Sequence, residues 1–204
     1  MIELTHPFLR RCLDRNALLD DCELLNTYCS RLEKQAVKYS SPDGFLRGTD
    51  EKQQNEYKGW GFELFAEFFI KFLGNERRIG ILDYKIVGKN DTGVDGTGIG
   101  IDGKVATVQV KYRQANYELK ANEDHLSNFK AASLSTKYGV SPQPTNGKCN
   151  MLIITSGKGL HYFTANEMMP EARVLDREHL RAMVDNHTMF WQRFRESWEN
   201  SAGK

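Results

Sequence analysis

Residues 105 to 113 read VATVQVKYR, and this strict alternation constrains the chain more than any other stretch. In an extended strand Ala106, Val108, Val110 and Tyr112 point to one face, and Thr107, Gln109, Lys111 and Arg113 to the other. The first face belongs in a core. The second presents an amide, an ammonium and a guanidinium in a row. Val94 to Ile101 reads as a preceding strand, joined to this one at Asp102-Gly103, a hairpin signal. A sheet is therefore expected, with this hairpin inside it.

Other segments supply helices and more strands. Residues 16 to 39 read as one helix, on which Leu18, Cys22, Leu25, Cys29, Leu32 and Ala36 form a narrow apolar seam. Such a seam lies on the core or makes a dimer contact. Ser40 to Lys58 is polar, contains Pro42-Asp43-Gly44 and reads as a loop. Trp60 to Leu73 is a strongly apolar helix ending at Gly74, and residues 79 to 87 read as a strand. Asn122 to Tyr138 reads as a helix with Glu123 and Asp124 in its first turn, followed by a loop holding Pro142 and Pro144. Met151 to Thr155 is a continuous apolar run, as in a strand buried on both faces. Thr164 to Glu167 fits a capping box, residues 172 to 175 a further strand, and Asp176 the cap of another helix. The last helix starts at Thr188 and carries Phe190, Trp191, Phe194 and Trp198 along one side. This order predicts an α/β fold, a central mixed sheet flanked by helices, with an N-terminal helical extension. The expected division is residues 1–56 as that extension, 57–185 as the core, and 186–204 as a C-terminal helix packed on the core or a partner.

Composition narrows the function classes. The chain has 204 residues, 40% hydrophobic and 27% charged, an ordinary globular mixture. No apolar run approaches the roughly 20 residues of a membrane span, and the N-terminus lacks a signal-peptide core. Cys12, Cys22, Cys29 and Cys149 form no CxxC pair, so reduced thiols and a cytoplasmic location are expected, in a bacterial cell or a phage-infected host. The net charge of +1 gives no global basic surplus, which leaves a local basic face as the way to meet nucleic acid. Gly96, Gly98, Gly100 and Gly103 miss the dinucleotide-loop spacing, and Gly157-Lys158-Gly159 is no P-loop, so no nucleotide cofactor is expected.

The polar face of the VATVQVKYR strand gains meaning from Asp95. With a two-residue turn at Asp102-Gly103, Asp95 lies opposite Val110 and faces away from Gln109. With a three-residue loop of Ile101, Asp102 and Gly103, it lies opposite Gln109. In that register, or with a bulge at Gly96, Gly98 or Gly100, Asp95, Gln109 and Lys111 share one side. Glu63 falls at the border of the apolar face of its helix; Glu67, one turn on, is the rival candidate, though it better fits an i,i+4 pair with Lys71. Phosphodiester cleavage needs an activated water and a counter to negative charge on the phosphorus oxygens. A hard divalent cation supplies both and prefers oxygen ligands. Asp95 offers a carboxylate, Gln109 an amide oxygen and Val110 a backbone carbonyl. Lys111 can steady the attacking hydroxide or the phosphate, and Glu63 a cation-bound water or a second cation.

GWGFE, then GVDG, then VQVKYR, resembles the core of the PD-(D/E)xK, or restriction-endonuclease-like, nucleases, and most of all their Mrr-type branch with QxK as the third motif. The likeness extends over roughly residues 57 to 185. It implies Asp95 as the metal ligand, Gln109 and Lys111 as the paired strand residues, and Glu63 as the helix-borne acid. It also implies Mg²⁺, with Mn²⁺ as a substitute, and DNA as substrate. Val94 stands where the family usually has proline. The expected activity is a metal-dependent, restriction-like endonuclease. The alternatives are a non-catalytic DNA-binding or assembly module of the same fold, and an exonuclease or junction cutter. Tyr112, Arg113, Lys120 and Lys158 are the expected DNA contacts, with Tyr117 and Lys148 nearby. A homodimer, through the seam or the last helix, would serve to cut both strands.

Overall fold

Gly103 has φ of 75° and closes a three-residue loop: the Gly100 N–H reaches Lys104 O at 2.8 Å, and the Gly103 N–H reaches Gly100 O at 2.9 Å. A β-carbon is disfavoured in this left-handed conformation, and glycine carries none. The structure is a computed structural model that describes residues 2–39, 51–88, 93–141 and 150–203. Its elements, in chain order, are α1 (Arg15–Leu19), α2 (Leu25–Tyr39), α3 (Glu51–Leu73), β1 (Ile81–Ile86), β2 (Gly96–Gly100), β3 (Val105–Lys111), β4 (Glu118–Leu119), α4 (Leu126–Leu134), β5 (Met151–Thr155), β6 (Gly159–Leu160), β7 (Arg173–Leu175), α5 (Arg177–Val184) and α6 (Phe190–Ala202). They form two units. One comprises Met1–Phe68 with His179–Lys204, the other Phe69–Glu178. The C-terminal helix thus belongs with the N-terminal helices, unlike the expected division at 56 and 185.

The second unit holds the sheet, in the order β1-β2-β3-β5-β7. β1, β2 and β3 are antiparallel neighbours, and β3, β5 and β7 run parallel. This is the α/β class with a mixed sheet that the sequence predicts. Gly96 pairs with Val108 and Thr97 with Thr107, the register set by the three-residue loop. β5 is buried at every position, which matches its unbroken apolar run. The polar side of β3 is not a solvated face. Thr107 and Gln109 are buried, and Thr107 Oγ1 meets Ser133 Oγ of α4 at 2.8 Å. Val94, Leu126, Phe129, Met151 and Ile153 make the core between sheet and α4. The two-residue strands β4 and β6 pair in parallel, which the sequence reading did not foresee.

α4 is shorter than the expected helix over 122 to 138. His125 adopts φ of 57°, a left-handed conformation that interrupts the turn before Leu126, while Asp124 is drawn inward. The expected capping box at Thr164 gives one π turn, Thr164–Met168, and the Thr164 hydroxyl instead accepts the Ala121 N–H at 3.1 Å.

In the first unit, the single helix expected over 16 to 39 is two. Asp14 caps α1 by accepting the Ala17 N–H at 2.9 Å, and Asp21, with φ of 53°, breaks the chain before α2. The Asp185 carboxylate then takes the Leu25 N–H at 2.7 Å. The seam residues Leu18, Cys22, Leu25, Cys29, Leu32 and Ala36 are all buried within the chain. So are Phe190, Trp191, Phe194 and Trp198 of α6. Tyr28 and Phe65 meet Trp191 and Phe194, and Phe68 stacks on Phe194 with ring centroids 4.8 Å apart. Both surfaces expected to make a dimer are therefore internal packing surfaces. Helix α3 begins at Glu51, so residues 51 to 58 are helical, not loop; residues 40 to 50, with Pro42-Asp43-Gly44, lie outside the described residues, as do Pro142, Pro144, Lys148 and Cys149. No helix among the described residues is long and apolar enough to cross a membrane.

Candidate active site

β2 and β3 bring Asp95 and Gln109 together. Continuing the Gly96–Val108 register by one residue puts Asp95 opposite Gln109, the second of the two registers that the sequence allows. The Asp95 backbone is pinned on both sides: its N–H donates to Val108 O and its carbonyl accepts the Val87 N–H, each at 2.9 Å. Its carboxylate Oδ2 accepts the Gln109 side-chain amide, and also the Val110 backbone N–H at 2.6 Å.

The loop before Asp95 depends on Gly93. Its φ is 98°, and a β-carbon there would come within 2.8 Å of the Phe129 backbone nitrogen. Only glycine lets α4 approach this closely, and the approach fixes the entry of the chain into Val94 and Asp95.

Val110 contributes through its backbone. Along β3 the even residues turn N–H and C=O toward β2, and the odd residues toward β5. Thus Val108 O and Val110 N serve Asp95, whereas the Thr107 N–H donates to Asn150 O at 2.9 Å and Lys111 O accepts the Ser156 N–H at 3.2 Å. The Val110 carbonyl opens on the Asp95 side. Lys111 is half-buried and shares the Gln109 face of the strand, two residues on.

Gln109 is 2% exposed. Its amide nitrogen faces Asp95, so its Oε1 points elsewhere, buried and without a hydrogen-bond partner among the described residues. A buried acceptor left unmade costs about 1–3 kcal/mol. Among the described residues no three His, Cys, Asp or Glu side chains gather as a metal group. Among the described residues, Asp95 offers a carboxylate, Gln109 an amide and Val110 a backbone carbonyl. That set suits a hard divalent cation held weakly.

Glu63 lies on α3 in the first unit, half-exposed as its border position predicts. Its Oε2 is 2.9 Å from His6 Nε2. Glu67 is fully buried, and its carboxylate accepts the Thr5 N–H, the Thr5 hydroxyl and the His6 N–H at 2.8 to 3.1 Å. It is an anchor for the N-terminal segment.

The expected DNA contacts fare unevenly. Tyr112 is buried at 9% exposure, on the apolar face to which the alternation assigns it. Arg113 is held inside the unit: its Nη2 lies 2.6 Å from Asp124 Oδ1, its Nε donates to the same oxygen at 2.8 Å, and Nη1 donates to Tyr112 O. Asp124, 1% exposed, also accepts the Lys120 N–H at 2.7 Å and the Tyr117 hydroxyl at 3.2 Å. Burial, followed by the Asp124 charge, raises the Tyr117 pKa. Tyr112 is thus mostly buried, and Arg113, a third exposed, is already paired with Asp124. Lys120 and Lys158 are exposed, but pair with Glu123 and Glu118, each at 3.0 Å. The Glu123 carboxylate raises the Lys120 pKa, and the Lys158 ammonium lowers that of Glu118.

Sequence reasoning missed His6, Gly93 and Asp124. Gly93 carries a signal, a glycine two residues before a candidate ligand. His6 carries none, since its partner is 57 positions away. Compared with known proteins, the chain matches no family model, no curated protein and no solved structure.

Proposed function

We propose that the chain is a magnesium-dependent deoxyribonuclease, an endonuclease of restriction-like type built on a PD-(D/E)xK core. The single observation that supports this most is Gln109 held against the Asp95 carboxylate through its amide nitrogen, its Oε1 buried and without a hydrogen-bond partner among the described residues, with Lys111 next along the same strand face. In this reading Asp95, Gln109 Oε1 and the Val110 carbonyl hold Mg²⁺, or Mn²⁺ in its stead. When bound, the cation neutralises charge on the phosphorus oxygens and lowers the pKa of a water. Asp95 and Gln109 bind and orient. Lys111 offers a positive charge to the attacking oxygen or to the phosphate as negative charge builds there.

The test is nicking of supercoiled, linear and branched DNA with Mg²⁺ or with chelator, by the wild type and by Lys111→Ala. Mg²⁺-dependent nicking lost in Lys111→Ala supports the reading, and the substrate preference separates endonuclease from exonuclease or junction cutter. Wild-type protein that cuts none of these substrates overturns it. One observation favours a second reading, a DNA-binding module without hydrolysis: Asp95 is the sole carboxylate of the proposed donor set on the β2–β3 hairpin. DNA binding without cleavage at any divalent-ion concentration would select that alternative.

A further inference from the structure

Asp124 decides which edge of the Arg113 guanidinium stays available. Nε and Nη2 both meet Asp124 Oδ1, at 2.8 and 2.6 Å, and Nη1 donates to Tyr112 O at 2.7 Å. Nε has spent its single N–H, whereas Nη1 and Nη2 each keep a second one. The guanidinium carbon lies 5.7 Å from the centre of the Tyr117 ring, whose hydroxyl is tied to the same carboxylate. The backbone is pinned as well: Ser156 Oγ accepts the Arg113 N–H and donates to the Arg113 carbonyl, each at 2.7 Å. Asp124 is buried, but Arg113 is a third exposed, so the held fork reaches solvent. A charged fork locked by a buried carboxylate, with an N–H left on each terminal nitrogen, suits two oxygens of one phosphate. Little further ordering is needed to bind them.

Its place in the fold agrees with this. Arg113 comes two residues after Lys111, about 7 Å along an extended chain. Asp124 sits just ahead of α4, the helix that meets the Gln109 side of the sheet through Ser133 and Thr107. Arg113 is therefore drawn toward the side on which Gln109 and Lys111 lie, and all of these residues belong to one unit. We infer that Arg113 binds a phosphate of the DNA backbone, next to the one that Lys111 serves, through the free N–H groups of Nη1 and Nη2. The inference rests on DNA being the ligand, as proposed above. Such a contact sets register and affinity and reads no base. Lys120 and Lys158 differ, as ammonium groups on flexible stems paired with Glu123 and Glu118 at the surface.

Fluorescence anisotropy with two labelled duplexes of unrelated sequence, in chelator so that no strand is cut, tests this. Arg113→Lys keeps a cation for Asp124, but an ammonium has no planar fork to share between a carboxylate and a phosphate. The variant is expected to melt close to the wild type and to bind both duplexes about tenfold more weakly. Its log Kd should also climb less steeply with log salt, by up to about 0.9. The wild type supplies a second measurement. Phenylglyoxal, read by mass spectrometry, should modify Arg113 in the free protein, and bound duplex should block the reaction. Folded Arg113→Lys with wild-type affinity, or with a loss confined to one duplex, overturns the inference. So does an Arg113 that phenylglyoxal modifies equally with DNA bound, or not at all without it. Should Arg113→Lys fail to fold, the phenylglyoxal result decides. If the wild type binds no duplex, the phosphate contact fails together with the nuclease reading. If it binds and does not cut when Mg²⁺ is supplied, the nuclease reading fails alone, and the same two measurements still decide the contact.

Discussion

Asp95 and Gln109 stand opposite one another on adjacent antiparallel strands, joined side chain to side chain, with the Gln109 oxygen turned away into the protein. The amide cannot offer its oxygen to a cation and keep its nitrogen on Asp95 without turning. Binding a divalent ion would therefore exchange one hydrogen bond for two oxygen–metal contacts.

That exchange sets the first expectation. Gln109→Glu puts a second carboxylate against Asp95 and removes the donor. Without divalent ions this variant should melt below the wild type, by the equivalent of about 1–3 kcal/mol. With Mg²⁺ its melting temperature should climb more steeply with concentration than that of the wild type, since a carboxylate is the stronger ligand. Thermal melts across a magnesium series, each with a chelator control, check this.

Lys111→Ala and Asp95→Asn should each reduce cleavage by about 10²–10³-fold. Asp95→Ala is the poorer probe. It strands the Val110 N–H, now bonded at 2.6 Å, and should lose about 1–3 kcal/mol of stability as well. Comparing cleavage rates with urea unfolding for all three variants separates chemistry from folding.

Gly93→Ala should destabilise the protein by about 1–3 kcal/mol from backbone conformation alone. The approach of α4 adds to this, because the new methyl meets the Phe129 backbone. Cleavage should fall beyond the loss of folded protein, since the same loop leads into Asp95. Activity normalised to the folded fraction is the measurement.

Glu67→Ala leaves the Thr5 hydroxyl and the Thr5 and His6 amides without their acceptor. Hydrogen exchange at Thr5 and His6 should accelerate, and stability should fall by about 1–3 kcal/mol. Unchanged protection at both amides would contradict the anchoring role.

Alkali should unfold the chain through buried thiols and phenols. Burial lifts the Cys22 thiol from 9.0 to about 11, and lifts Tyr28 and Tyr57 above their usual values. The unfolded chain then releases the Cys22 proton first, so stability from this group is full below about 9 and declines as pH rises toward about 11. Urea midpoints measured between these limits should fall steadily. At pH 8, alkylation should reach half-exposed Cys12 before Cys22 and Cys29.

Much of the sheet was legible because alternation and apolar runs are local signals. VATVQVKYR and MLIIT appear where they were expected, as β3 and β5. The Asp95 register was legible as a choice between two turns, and Gly103 decides it through a torsion that the sequence permits without requiring. The helices show where local signals end. Seam residues from Leu18 to Ala36 keep their period through a chain break at Asp21, because burial follows tertiary packing and the break follows one torsion angle. Arg113 reads as a surface cation, yet Asp124 captures it 11 positions away. His6 and Glu63 are further apart still, and no periodicity links them.

The first unit is assembled from both ends of the sequence, with Leu4 bonded to Ser201 at 2.9 Å and the α6 aromatics filling the spaces beside Phe8, Tyr28 and Phe65. On the ribosome, the rings of α2 and α3 emerge long before Phe194 and Trp198 exist to cover them. The sheet unit, continuous in sequence, has all its strands by the time α5 appears. Newly made chains therefore carry a bare aromatic surface until the last helix clears the exit tunnel, and this surface is where a chaperone would be needed.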